Sequence, residues 1–158
     1  MNLPQQLAKH LRDVHFGGNW TWVNVKDSLA NLTWEQATTK VDHLNTIVAL
    51  VYHMNYYVAA LIKVSQGGPL DAHDKYSFSH PEISSQQDWE KLVDKVWADA
   101  ETLAGLVEQM PESRIWEPFD DGKYGTYYRN IQGVIEHTHY HLGQVVIIKK
   151  MLSHNDQG

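Results

Sequence analysis

An all-α fold is predicted by three features of the sequence. Apolar residues recur at intervals of three or four along long segments, which is the spacing of one helix face. Typical helix-start residues precede several of these segments, and no segment shows a convincing strand alternation. We therefore predict four helices packed as a four-helix bundle, forming one domain over residues 1–158.

The first helix is predicted by Leu3, Leu7, Leu11 and Val14, which share one face. It is expected to stop at the glycine pair 17–18, because glycine is favoured just past a helix end. A loop containing "NWTWVN" follows, and then a short helical turn near "KDSLANL".

A long central helix is predicted to follow. Thr33 and Gln36 have the spacing of a capping box, which marks a helix start, and the segment runs to the glycines at 67–68. Residues 47–62 are apolar almost all round, so we expect a helix buried on most sides. The Gly-, Pro- and Ser-containing stretch 67–85 is predicted to be a long ordered loop within the domain.

The third helix has the strongest periodic signal in the chain. Ser85 and Asp88 indicate its start, and it is expected to end before Pro111. Its apolar stripe comprises Trp89, Leu92, Val93, Val96, Trp97, Ala100, Leu103, Ala104 and Val107. After an irregular segment, "PESRIWEPFDDGKYG", the last helix is predicted from near Thr126 to about Ser153.

Composition excludes several classes of function. A net charge of -6 makes a nucleic-acid partner unexpected, since phosphate backbones require a basic surface. The chain contains no cysteine, which removes disulfides, thiolate ligands and a cysteine nucleophile. No secretory leader and no run of about 18 uninterrupted apolar residues is seen, so we expect a cytoplasmic protein without a membrane partner.

Three histidines alternate in "IEHTHYHLGQVV", residues 135–146. The apolar residues around them fit a helix and would scatter over both faces of a strand. In a helix, His137 and His141 lie one turn apart on one face, whereas His139 points elsewhere. Two imidazoles in this relation can converge on one metal ion, although spacing alone also fits hydrogen-bonded histidines.

A third ligand would strengthen the metal interpretation, and the central helix offers two histidines. His43 shares the main apolar arc, while His53 lies on another face among small residues such as Ala49 and Ala60. Periodicity permits His53 as a ligand without selecting it.

The segments "IVALVYHMNYYVAAL" and "IEHTHYHLGQVV" resemble the DinB-like (DinB/YfiT) metalloenzymes. The resemblance covers nearly the whole chain and includes the Gly-Gln that follows the H-x-x-x-H pair. It implies that His53, His137 and His141 bind a divalent metal, nickel or zinc. It also implies a homodimer and a small-molecule substrate, and it favours a transferase that activates a low-molecular-weight thiol.

Other functions remain open at this stage. Three neutral imidazoles leave a coordination position free, so a hydrolase using bound water is one alternative. A non-catalytic stress protein that binds a metal or small molecule is another. The sequence assigns no catalytic residue. Gln144 projects beside His137 and is either a candidate to hold it through its second ring nitrogen or an ordinary exposed side chain.

Aromatic residues beside these segments are candidates for the pocket. Trp22, Tyr124, Tyr127 and Arg129 could form its walls and rim, with Arg129 as an anion-binding group, or the aromatics could cap the core. The tyrosines beside His53 have the same two interpretations: Tyr52, Tyr56 and Tyr57.

Overall fold

The all-α prediction is confirmed by the computed structural model, which describes residues 1–155 and their side chains up to Ser153. No β-strand occurs in this part of the chain; it holds a single isolated bridge between Pro118 and Thr126. The helices are α1 (Leu3–Phe16), α2 (Val25–Leu29), α3 (Trp34–Thr38), α4 (Ile47–Ser65), α5 (Gln86–Glu108), α6 (Glu112–Ile115) and α7 (Tyr127–Asn155).

The four long helices pack side by side. Helix α1 contacts α5 and α7, and α4 also contacts α5 and α7, so α4 and α7 are direct neighbours along their length. This pairing places His53, on α4, beside the two histidines of α7. The ends of α1, α5 and α7 agree with the predictions to within two residues, and α2 is the predicted short turn.

The start of the central helix was predicted wrongly. The Thr33–Gln36 capping box is present, with both reciprocal hydrogen bonds, but it caps the short helix α3. Residues 39–46 then form turns, and α4 begins at Ile47 with Thr46 as its cap. His43 consequently lies exposed in a turn and does not share an apolar helix face as predicted.

Two apolar clusters form the core, one towards each end of the long helices. On α4 the first cluster includes Val51 and Met54, and the second begins at Val58. On α7 the order is reversed, with Ile135 in the second cluster and Leu142 in the first. His53, His137 and His141 therefore lie at the level where the two clusters meet.

Other polar groups occupy the same level. Asn55 is buried and donates from Nδ2 to Asp99 Oδ2 on α5 at 2.7 Å. The hydroxyl of Thr138 is fully buried and donates to the Val134 carbonyl at 2.8 Å. A polar level thus crosses the core, and these two hydrogen bonds offset part of the cost of burying it, while Asn55 Oδ1 has no partner among the described residues.

The two irregular segments converge near the amino end of α7. The stretch 67–85 is an ordered loop with one 3₁₀ turn, Asp74–Tyr76, and the second segment contains the short helix α6. The loop is joined to α4 by the Tyr56 hydroxyl, which accepts from the His73 amide at 2.9 Å. It is joined to the second segment by Asp120, which accepts from the Leu70 amide.

Helix α4 alone has the length and mean hydropathy, 1.5, that a membrane span requires, among the residues described. In this fold, 56% of that window is buried against neighbouring helices. Core helices meet the same criterion, and the contacts of α4 with α5 and α7 are those of a core helix.

Candidate metal centre

His53, His137 and His141 converge on one point between α4 and α7. Each offers one ring nitrogen, and these three atoms lie within 4.8 Å of one another. The Nε2 atoms of His53 and His137 are 3.0 Å apart, although the residues are 84 positions apart in sequence. The three rings are separated by 4.5 to 4.7 Å between centroids.

The structure separates these three histidines from the others considered. His139 is outside the cluster and interacts electrostatically with His15, which is buried on α1. His43 is outside it as well. The helical interpretation of residues 135–146, which grouped His137 with His141 and left His139 aside, is therefore confirmed.

Burial and the neighbouring histidines favour the neutral forms of His53 and His137. Desolvation, followed by the neighbouring His141 and His53, lowers the pKa of His137 to about 4. Desolvation and His141 also lower the pKa of His53, while the Ser77 backbone and Asp74 act in the opposite direction. Neutral imidazoles have free lone pairs and are the form that binds metal ions.

One ligand ring is oriented by a hydrogen bond. His141 donates from Nδ1 to Gln144 Oε1 at 2.6 Å, which places the proton on Nδ1 and leaves Nε2 with a lone pair. Gln144 therefore holds His141, and not His137, for which the sequence made it a candidate. The reason is that i and i+3 residues on a helix are close neighbours, so Gln144 reaches the nearer histidine.

The other two rings are held by aromatic packing. Phe78, from the long loop, stacks on His53 with a centroid distance of 3.9 Å and an interplanar angle of 7°. The ring of Tyr57 packs in a T-shaped arrangement against both His53 and His137, with centroid distances of 5.3 and 5.0 Å. The Nδ1 atoms of His53 and His137 are buried and have no hydrogen bond of normal geometry among the described residues.

The three-histidine donor set could hold a metal ion. Zinc–imidazole bonds of about 2.0–2.1 Å in a tetrahedral site separate the ligand nitrogens by about 3.3 Å, close to the 3.0 Å between the two Nε2 atoms. The facing Nε2 atoms of His53 and His137 are close enough to share a cation as an alternative to their mutual contact. These three side chains are the complete ligand group found within the described residues.

A cavity of about 530 Å³ opens onto the cluster, and both His53 and His137 line it. Of the predicted wall residues, Tyr124, Arg129 and Tyr57 line this cavity. Trp22 is 88% exposed and lies in a separate depression near the end of α7.

The remaining tyrosines serve the core or the loop. Tyr127 is buried in the second apolar cluster, where its hydroxyl accepts from Arg114. Tyr52 packs against the first cluster, and Tyr56 binds the loop backbone.

Two residues of the site were missed by sequence reasoning. Asp74 lines the cavity, accepts a 2.6 Å hydrogen bond from the Tyr57 hydroxyl, and acts electrostatically on His53. Phe78 covers the His53 ring. Both belong to the loop 67–85, which has no periodicity, so no pattern in the sequence indicates which of its side chains face α4.

Comparison of the chain with protein family models, with curated proteins and with solved structures found no significant match.

Proposed function

We propose that this protein is a DinB-like four-helix bundle metalloenzyme that binds one divalent ion, nickel or zinc, through His53, His137 and His141. The observation that carries the proposal is the convergence of these three imidazoles beside a cavity that His53 and His137 line. Structural metal sites usually have four protein ligands, whereas catalytic sites have three and leave a position for water or substrate.

The proposed reaction is a transfer to or from a low-molecular-weight thiol. A divalent ion held by three histidines would supply charge that lowers the pKa of a bound thiol and makes it a nucleophile. Since the chain has no cysteine, the thiol must be a separate small molecule. The cavity, at about 530 Å³, is within the usual range of about 300–1,000 Å³ for small-molecule sites.

Hydrolysis by bound water is the second candidate, and one residue favours it. Glu136 lines the cavity next in sequence to His137, and its carboxylate has no ion pair among the described residues. A free carboxylate at such a site can accept a proton from an attacking water. Replacement of Glu136 by Gln would strongly reduce a hydrolase reaction and would have less effect on a reaction whose nucleophile is a thiolate.

Metal titration of chelator-treated protein tests the site. We expect one equivalent of zinc or nickel to bind to the wild type, and His137→Ala to lose most of this affinity. His139→Ala is the matched control, because it removes an imidazole from the same helix two residues away but outside the cluster. Equal affinity in the wild type and His137→Ala would refute the proposed site.

The reaction is tested with the metal-loaded protein. Small thiols offered together with an electrophilic acceptor should give a thioether or thioester product in a transferase. Product formed from the acceptor and water alone would support the hydrolase. Absence of both products, with metal bound, would favour the non-catalytic metal-binding protein.

A further inference from the structure

The cavity beside the histidines has charges of opposite sign at its two ends. Asp74 and Glu136 supply carboxylates at the histidine end, where Asp74 accepts a hydrogen bond from Tyr57, whose ring contacts both His53 and His137. Arg129 is the one cationic side chain among the described residues that line this cavity. A ligand with a negative charge is therefore favoured only with that charge towards Arg129.

The guanidinium of Arg129 makes no hydrogen bond or ion pair with any other described residue. The backbone amide of Arg129 donates to Thr126 Oγ1. By contrast, Arg12 and Arg114 are each engaged, with Glu101 and Tyr127 respectively. An unpaired guanidinium has five donors in a planar fork that matches a carboxylate or phosphate.

The position of the Arg129 side chain is set by the turn before α7. Its Cδ atom lies 3.0 Å from the point where Gly125 would carry a Cβ, and Gly125 has a φ of +82°. A side chain at Gly125 would both strain the backbone and displace the arginine stem. The glycine thus permits Arg129 to lie across the turn at this end of the cavity.

The surface between Arg129 and the histidines is open. Arg129, Gly133 and His137 follow one another at intervals of four residues, so they lie along one face of α7. The Cα atoms of the first and last are about 12 Å apart, from the helical rise. Apart from the adjoining residues and the backbone of α7 itself, no described atom lies within 4 Å of the point where Gly133 would carry a Cβ, so an extended ligand has room there.

We propose that Arg129 binds the carboxylate, or an equivalent anionic group, of an extended small molecule whose reactive atom lies at the histidine cluster. This inference rests on the proposed function, because it identifies the class of ligand for the same site. The apolar walls, Leu61 and Val134, suit a hydrocarbon segment between the two ends of the ligand.

A pair of probes that differ only at the tail tests the proposal. Binding of mercaptohexanoate and mercaptohexanol to nickel-loaded protein is measured by calorimetry and by the nickel–thiolate absorption band. In the wild type we expect the acid to bind at least about tenfold more tightly, as for a hydrogen bond between charged groups. In Arg129→Gln we expect the two affinities to become equal through loss of affinity for the acid alone.

Lys123→Gln is the matched control, since it removes one positive charge from the same turn but from outside the cavity lining, and the preference should persist. Equal binding of both probes by the wild type, or an unchanged preference in Arg129→Gln, would overturn the role of Arg129 and leave the thiol-binding metal site intact. Failure of both probes to bind nickel-loaded protein would refute thiol activation and this inference together. Failure to load nickel at all would refute the metal site itself.

Discussion

Gln144 is predicted to strengthen metal binding by orienting the His141 ring. Its Oε1 atom accepts the 2.6 Å hydrogen bond from His141 Nδ1, and His141 is buried. In Gln144→Leu, the side chain keeps a similar volume but can no longer accept the hydrogen bond. His141 would then lose both the fixed orientation of its ring and the preference for the form in which Nε2 is unprotonated.

The expected loss follows from the role of this contact. Removing the hydrogen-bond partner of a metal-binding histidine typically weakens metal affinity by about 10–100-fold, equivalent to about 1.4–2.7 kcal/mol. We expect the upper part of this range, because within the described part of the chain neither His53 nor His137 has an Nδ1 hydrogen bond of normal geometry that could hold its ring. Gln144→Glu should retain affinity, since a carboxylate accepts the same hydrogen bond and increases the basicity of the ring.

Competition with a chromophoric chelator measures these affinities directly. Gln132→Leu is the matched control: it makes the same change on the same helix, away from the histidine cluster. Circular dichroism establishes that each variant is folded. If Gln144→Leu bound zinc as tightly as Gln132→Leu, while His141→Ala still lost affinity, the orienting role of Gln144 would be wrong.

Three further predictions concern stability and access. Burial lowers the pKa of His15, so below the ordinary histidine pKa the unfolded chain binds more protons than the folded one. The free energy of unfolding should therefore fall as pH drops below about 6.5. Urea denaturation should show a smaller fall for His15→Leu than for the wild type. Phe78→Ala should speed release of bound metal to a chelator, since it uncovers His53, with little effect on the urea midpoint because Phe78 is 40% exposed. Leu103→Ala should destabilise the fold by about 2–5 kcal/mol in urea titrations, because Leu103 is fully buried; an unchanged midpoint would contradict the packing of the second cluster.

Helices with a clear apolar stripe were predictable because their pattern is local. The stripe of α5 needs only its own residues to be recognised, and Ser85 does cap the helix by accepting from the Asp88 amide. The prediction that His139 points away from His137 and His141 also needed only local information. An imidazole's direction on a helix follows from its position in the sequence once the segment is known to be helical.

The capping box at Thr33 shows where local evidence is insufficient. Its two hydrogen bonds form as predicted, but a cap establishes only that a helix starts, and says nothing of how far it continues. The helix ends after Thr38, and the chain turns before α4 begins at Ile47. Packing of α3 against α4 and α5 as a separate element decides this, and such contacts leave no periodic trace in the sequence.

The positions of His53 and of Phe78, which stacks on its ring, could not be predicted from local sequence patterns, because both depend on how distant segments pack. Periodicity left His53 as one of two permitted histidines, and the choice is made by the packing of α4 against α7, which joins Nε2 atoms 84 residues apart. The Tyr56 and Tyr57 hydroxyls bind the long loop to α4 through His73 and Asp74, and Phe78 of the same loop stacks on His53. Loosening the loop by Tyr57→Phe should therefore alter metal release in the same direction as Phe78→Ala, although Tyr57 and Phe78 are distant in sequence. A short sequence motif does not predict contacts of this kind between distant segments.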